Sequence, residues 1–169
     1  TYPLPEAQLD RFLLHVCIDY PDAAAEHKIL ALVRDEAKKN SATIQIAFQQ
    51  VPQNLLFLAR QEILNVYMAP EIEDYIVQLV MASRKPAAYD AELAALIEYG
   101  ISPRGSIALD RCARASAWLE GRDFVTPSDV QNIAHDVLRH RIGLSFEAEA
   151  RGMNKNDLIN ALLDRVTAP

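Results

Sequence analysis

The sequence predicts a mainly α-helical fold: a small helix bundle with a short helix and one strand ahead of it. Three observations predict this. Apolar residues recur at helical spacing over most of the chain after Pro21. Pro70, Pro103 and Pro127 each stand where a first helical residue belongs. One apolar run, Leu13-Leu14-His15-Val16-Cys17-Ile18, is too short for a helix and closes on Asp19-Tyr20-Pro21, which suits a buried strand.

Taken in order, Pro5 to Phe12 has room for one or two helical turns before that strand. A lone strand makes no sheet, so its edge would be open to swapping or dimerisation. Asp22 is a fitting N-cap for a helix that turns Ile29, Leu30, Leu32, Val33 and Ala37 inward and stops at Lys38-Lys39-Asn40. Residues 41–51 suit either an extended or a helical conformation. Asn54 to Val66 carries Leu55, Leu58, Ala59, Glu62 and Ile63 at helical spacing, and Ile72, Tyr75, Ile76, Leu79 and Val80 trace a buried face after Pro70. Ser83 to Asp90 reads as a loop, and Ala91 to Tyr99 as a short helix ended by Gly100. Ser102-Pro103-Arg104 opens a helix to Gly121 with Ile107, Ala108, Cys112, Ala115 and Leu119 inward. Thr126-Pro127-Ser128-Asp129 is an acidic capping box for a helix with Val130, Ile133, Ala134, Val137 and Leu138 inward. A last helix spans Lys155 to Val166, with Leu158, Ile159, Leu162 and Leu163 apolar.

Composition narrows the functions. The 169 residues carry 17 Lys+Arg against 23 Asp+Glu, a net charge of −6, which disfavours a general nucleic-acid binder. No apolar run approaches the roughly 20 residues of a membrane-spanning helix. Cys17 and Cys112 lack zinc spacing and read as two reduced core thiols of a cytoplasmic protein. The opening Thr1-Tyr2-Pro3-Leu4-Pro5, with neither an initiator Met nor a signal pattern, reads as the interior of a longer chain. There is no Gly-rich phosphate loop, HExxH or GxSxG, and four scattered histidines suggest no nucleophile–base pair.

Two arginines stand out. Arg104 is the second residue of its helix, where the dipole makes a cation unfavourable by roughly 0.3–1 kcal/mol unless an anion sits beside it. That anion is either a neighbouring carboxylate or a bound phosphate. Arg11 lies between an acidic turn and the strand, either paired with Asp10 or Glu6 or free to grip a partner's phosphate. Arg139-His140-Arg141 reads as ordinary capping of a helix C-terminus, Trp118 as a rim aromatic, and His140 as a partly buried histidine.

The segment Thr1-Tyr2-Pro3-Leu4-Pro5-Glu6-Ala7-Gln8-Leu9-Asp10-Arg11-Phe12 resembles the MoxR family of AAA+ ATPases. So do Tyr99-Gly100-Ile101-Ser102-Pro103-Arg104-Gly105-Ser106-Ile107-Ala108-Leu109 and the stretch from Gly121-Arg122-Asp123-Phe124-Val125-Thr126-Pro127 through Asp136-Val137-Leu138-Arg139-His140-Arg141-Ile142 to Phe146-Glu147-Ala148-Glu149-Ala150. The resemblance covers nearly the whole chain and is weakest between Asn40 and Gln53. It implies that residues 1–20 are a helix–strand remnant of the α/β nucleotide-binding core and residues 21–169 the helical lid. It further implies that Arg11 matches the arginine finger acting on a neighbour's ATP, and Arg104 the second-sensor arginine toward its own subunit's ATP. ATP and magnesium would be bound by the parent protein, because the family's phosphate loop and magnesium-binding acids lie upstream of Thr1. The implied partners are further copies of itself in a ring, usually a hexamer, and von Willebrand factor type A domain proteins in chaperone-like remodelling or cofactor insertion. The alternative, for this chain taken alone, is a helical protein-interaction adaptor without catalysis.

Overall fold

Two signals in the sequence, the Ser102-Pro103 and Thr126-Pro127 helix starts, produce the pair of helices around which the rest is arranged. The structure is a computed structural model that describes residues 4–38 and 50–169. It contains α1 (Glu6–Leu9), α2 (Ala23–Lys38), α3 (Gln53–Asn65), α4 (Pro70–Arg84), α5 (Ala91–Leu96), β1 (Ile97–Tyr99), α6 (Pro103–Leu119), α7 (Pro127–Leu138), β2 (Gly143–Leu144), α8 (Phe146–Ala150) and α9 (Lys155–Arg165). Helices α4, α6, α7 and α9 enclose the core, with Leu79, Leu109, Val130, Val137, Leu138, Leu158, Ile159 and Leu162 fully buried. Burying each such side chain contributes about 1.5–3 kcal/mol. Mainly helical architecture therefore stands as anticipated.

Helix α6 turns Gly105, Ala108, Leu109, Cys112, Ala113 and Ala117 inward, and these mostly small residues let α7 come close. The arc is narrower than expected: Ile107 and Leu119 fall on its flanks and are exposed. The helix ends at Leu119 in a Schellman arrangement. Gly121 takes φ +75°, its N–H donates to the Trp118 carbonyl at 2.9 Å, and the Arg122 N–H donates to Ala117 at 2.9 Å. Arg122 then forks onto the buried Asp129 at 2.6 and 2.7 Å, while that carboxylate accepts from the Thr126 N–H and hydroxyl at 2.8 Å each. The capping box so joins the end of α6 to the start of α7.

Several expectations are corrected. Leu13–Ile18 forms no strand: among the described residues no strand lies beside it, its side chains are exposed, and its Leu13 and His15 carbonyls accept from Arg141 and Arg139 just after α7. Cys17, expected in the core, is exposed for the same reason, while Cys112 is buried. Helix α2 forms, but Ile29, Leu30, Leu32 and Val33 are exposed because its apolar stripe meets no partner among the described residues. On α3, Leu55 and Leu58 are likewise exposed. The anticipated helix over 91–99 stops at Leu96: Ser145 donates from Oγ to the Ala95 carbonyl at 2.6 Å and from N to the Leu96 carbonyl at 2.9 Å. Ile97–Tyr99 instead pairs antiparallel with Gly143–Leu144. The loop expected over 83–90 is an extension of α4 to Arg84 followed by a 3₁₀ turn at Pro86–Ala88. Of the ambiguous segment 41–51, residues 41–49 lie outside the described residues.

Asp129 supplies a pH test. Burial alone would raise its carboxyl, but hydrogen bonds from Arg122 and Thr126 outweigh it and hold the pKa at about 2, against 3.8 ordinarily. The folded state thus binds its proton less readily than the unfolded state. Its stabilisation, on the order of 2 kcal/mol, is complete above the ordinary value and is lost as pH falls through about 2. Urea unfolding of Asp129→Asn should show that deficit at pH 7 and a much smaller one near pH 2; an equal deficit at both would contradict the assignment.

Candidate functional site

The candidate site forms where the start of α6 meets the turn after α1. Helix α4 first fixes the approach to α6. Ser83 Oγ donates to the Val80 carbonyl at 2.7 Å and accepts from the Ile101 N–H at 3.0 Å, while Arg84 Nε donates to the Ile101 carbonyl at 2.7 Å. Gly100 is required here, since a Cβ would stand 2.5 Å from the Ser83 carbonyl oxygen. Ser102 then caps α6 by accepting from the Arg104 N–H at 3.1 Å. Arg104 follows as second helical residue, with its side chain 53% exposed.

Asp10 lies opposite. Its carboxylate accepts from Ser102 Oγ at 2.9 Å to either oxygen, from Arg104 Nη1 at 3.3 Å and from Arg141 Nε at 3.2 Å. Of the two anions left open by the sequence, the structure thus places a neighbouring carboxylate beside Arg104. A negative charge at a helix N-terminus is also what the dipole favours, so Asp10 offsets the unfavourable cation. As an exposed ion pair at 3.3 Å, the Arg104–Asp10 contact is weak, in the range of 0–1 kcal/mol.

Arg141 is the buried member. Its side chain is 2% exposed, and burial draws its pKa down while the Asp10 charge opposes that. Besides Asp10 Oδ1, it donates to the carbonyls of Asp10 at 3.2 Å, Phe12, Leu13 at 3.2 Å and Val137. Next to it, His140 Nε2 donates to the Phe12 carbonyl at 2.9 Å, and Arg139 Nη1 to the His15 carbonyl. The basic run read as simple end-capping is therefore also the anchor of the N-terminal segment. Glu6, Asp10, Tyr99, Ser102, His140 and Arg141 line a shallow cleft of about 250 Å³.

Arg11 lies between two anchored residues. Its backbone N–H donates to the Gln8 carbonyl at 3.1 Å, but its exposed guanidinium has no partner among the described residues, neither Asp10 nor Glu6. Arg11 and Arg104 are thus both exposed, and Asp10, the residue before Arg11, bonds Arg104. Trp118 is the rim aromatic anticipated, half-buried and donating from Nε1 to Glu62 at 2.9 Å. Cys112 is an unpromising nucleophile, because burial raises its thiol pKa. Among the described residues, no group of three or more His, Cys, Asp or Glu is placed to hold a metal, and no helix is long and apolar enough to cross a membrane. Sequence reasoning missed Asp10 and the anchoring role of Arg141; the acidic turn and the basic run were visible, but their pairing across 131 positions was not.

Comparison with known proteins bears on this geometry. Residues 89–162 match the family described as the AAA lid domain. The chain is 35% identical over its full length to the chaperone MoxR1 of Mycobacterium tuberculosis, of which it covers 43%. It is 37% identical over 99% of its length to the protein MoxR of Paracoccus denitrificans, covering 50% of that protein. A crystal structure from Cytophaga hutchinsonii, of a protein provisionally named an ATPase, superposes with a TM-score of 0.89 at 38% identity, over 99% of this chain and 50% of that one. The chain spans about half the length of the curated relatives it matches.

His140 makes the anchoring pH-dependent. Its Nδ1 is buried without a partner, so a second proton would find no acceptor. Burial, with Arg141 and His15 close by, keeps the folded pKa below the ordinary 6.5 despite the Phe12 carbonyl. The unfolded state takes up the proton first, so stability falls as pH drops below 6.5. His140→Gln, which does not titrate, should flatten the stability profile measured by urea unfolding between pH 7 and 5; an unaltered slope would contradict this.

Proposed function

Because the chain belongs to the MoxR family of AAA+ ATPases, we propose that it acts as the lid part of a ring-forming ATPase, coupling ATP binding and hydrolysis to chaperone-like remodelling of partner proteins or cofactor insertion into them. The observation that carries the reading is the exposure of Arg104 and Arg11, one on the capped start of α6 and one on the turn docked against it. Residues 1–20 belong with the nucleotide-binding core and residues 21–169 form the lid. Partners of the von Willebrand factor type A class, a hexameric ring and a cytoplasmic setting complete the proposal, and rest on family analogy.

Arg104 takes the γ-phosphate of ATP held by its own subunit. The phosphate then replaces Asp10 as the anion at the start of α6, an exchange made easy by the weak, exposed contact it displaces. Arg11 reaches across the subunit boundary to the neighbour's ATP. A guanidinium there stabilises charge on the transferring phosphoryl group and contributes a factor of roughly 10³–10⁵ in rate in enzymes of this kind. ATP is the substrate. Among the described residues no group of three or more His, Cys, Asp or Glu is placed to hold its magnesium, and the sequence contains no GxxxxGK[ST] loop to cradle the β-phosphate. Loss of the γ-phosphate returns Arg104 to Asp10 and lets the lid rotate against the core.

In the full ring protein, Arg104→Ala and Arg11→Ala should each abolish most turnover, by about 10³-fold for Arg11. Mixing with subunits whose phosphate loop is disabled should restore activity only to Arg11→Ala, since that subunit keeps an intact site of its own and receives a finger from its neighbour. An Arg11→Ala ring that turns over normally would sink the reading. Residues 1–169 alone should show no magnesium-dependent ATP hydrolysis in a phosphate-release assay, and measurable turnover would contradict it.

A further inference from the structure

We propose that Arg141 is the positioning residue for Arg11: a lid arginine that sets where the turn carrying the trans-acting guanidinium stands. The inference rests on the reading of Arg11 given above and extends it to a residue on another element.

The N-terminal segment has little of its own to hold it. After the four residues of α1 it runs without regular structure to Pro21, and Leu13, Leu14, Val16 and Ile18 are exposed, so none of them joins the buried core. Polar anchors do the holding, and Arg141 supplies more of them than any other residue. Its Nε bonds the Asp10 carboxylate, Nη1 the carbonyls of Leu13 and Val137, and Nη2 the carbonyls of Asp10 and Phe12. A guanidinium has five N–H donors, and here all five are used. Because the acceptors at Phe12 and Leu13 are main-chain oxygens, the grip fixes backbone on both sides of Arg11 without engaging its side chain. The outcome is a pinned backbone with a free guanidinium between the pins, the arrangement that a group acting on a neighbouring molecule requires.

Two features separate this from routine packing. The guanidinium is buried, its side chain 2% exposed, and a buried charge is tolerated only with its donors satisfied; without residues 10–13 it would keep one of these acceptors, the Val137 carbonyl. Asp10 also joins the grip to Arg104, so the arginine that senses the subunit's own nucleotide and the one directed at the neighbour's share a carboxylate. Lysine cannot substitute: its single ammonium keeps the charge but has three donors and no planar fork.

The test is Arg141→Lys in the full ring protein, with kcat and KM for ATP measured alone and in mixed rings. The expected result is a fall in kcat of about tenfold to hundredfold, as for a misplaced catalytic group, with KM changed less than about twofold. Mixing with phosphate-loop-defective subunits should restore the activity, because the defect lies at the neighbour's site. A lid that had merely lost stability would damage its own site and would not be rescued. Normal kcat, or a loss without rescue, overturns the proposal. Should Arg141→Lys fail to fold, Asp10→Asn decides: it removes the shared charge from an accessible position and should give a smaller fall of the same rescuable kind, whereas unchanged kcat would overturn the idea. If Arg11→Ala itself retains turnover, the parent reading fails; if Arg11→Ala is inactive and Arg141→Lys is normal, only the positioning role fails.

Discussion

A charged guanidinium taken out of water must find an acceptor for each of its N–H groups, and the structure depends on how Arg141 meets that demand. Its own helix provides one oxygen, from Val137. The others come from residues 10–13, more than a hundred positions earlier in the chain. Removing one side of such a pairing is strongly destabilising, in the range of 3–5 kcal/mol for buried pairs, because the remaining charge stays buried. The N-terminal segment is held by that requirement. None of its apolar side chains joins the buried core.

From this constraint the arrangement of the exposed end follows. Once Arg141 fixes Asp10, the carboxylate meets the hydroxyl of Ser102 and the edge of Arg104. The start of α6 is itself immobilised from behind by Ser83 and Arg84 of α4. Rigid supports therefore surround two exposed side chains, Arg104 and Arg11. This is the usual economy of a functional site, with precise backbone placement and side chains available to a ligand.

Much of the bundle was legible in the sequence because its signals are local. Pro70, Ser102-Pro103 and Thr126-Pro127 mark helix starts, and the apolar spacings of α4, α7 and α9 describe the faces that are buried. Legibility failed where a remote residue decides the outcome. Ile97–Tyr99 leaves the helix because Gly143–Leu144 lies beside it and Ser145 occupies the preceding carbonyls. Leu13–Ile18 has the composition of a strand and no strand beside it among the described residues, and its Leu13 and His15 carbonyls accept from Arg141 and Arg139 instead. At the site, the odd placement of Arg104 pointed correctly to an adjacent anion, but nothing local distinguished Asp10 from a phosphate. The roles proposed for both arginines come from the family motifs, while the hold of Arg141 on the turn became visible only in three dimensions.

The proposed function comes down to two exposed guanidinium groups: Arg104, paired with Asp10, would leave it for a nucleotide in its own subunit, and Arg11 would meet one in the next. The direct measurement is a structure of the assembled ring with a non-hydrolysable ATP analogue. It should show Arg104 drawn off Asp10 to within hydrogen-bond distance of the γ-phosphate, and Arg11 at the γ-phosphate across the boundary with Arg141 still gripping the turn. Both arginines facing solvent while every site holds nucleotide would contradict it.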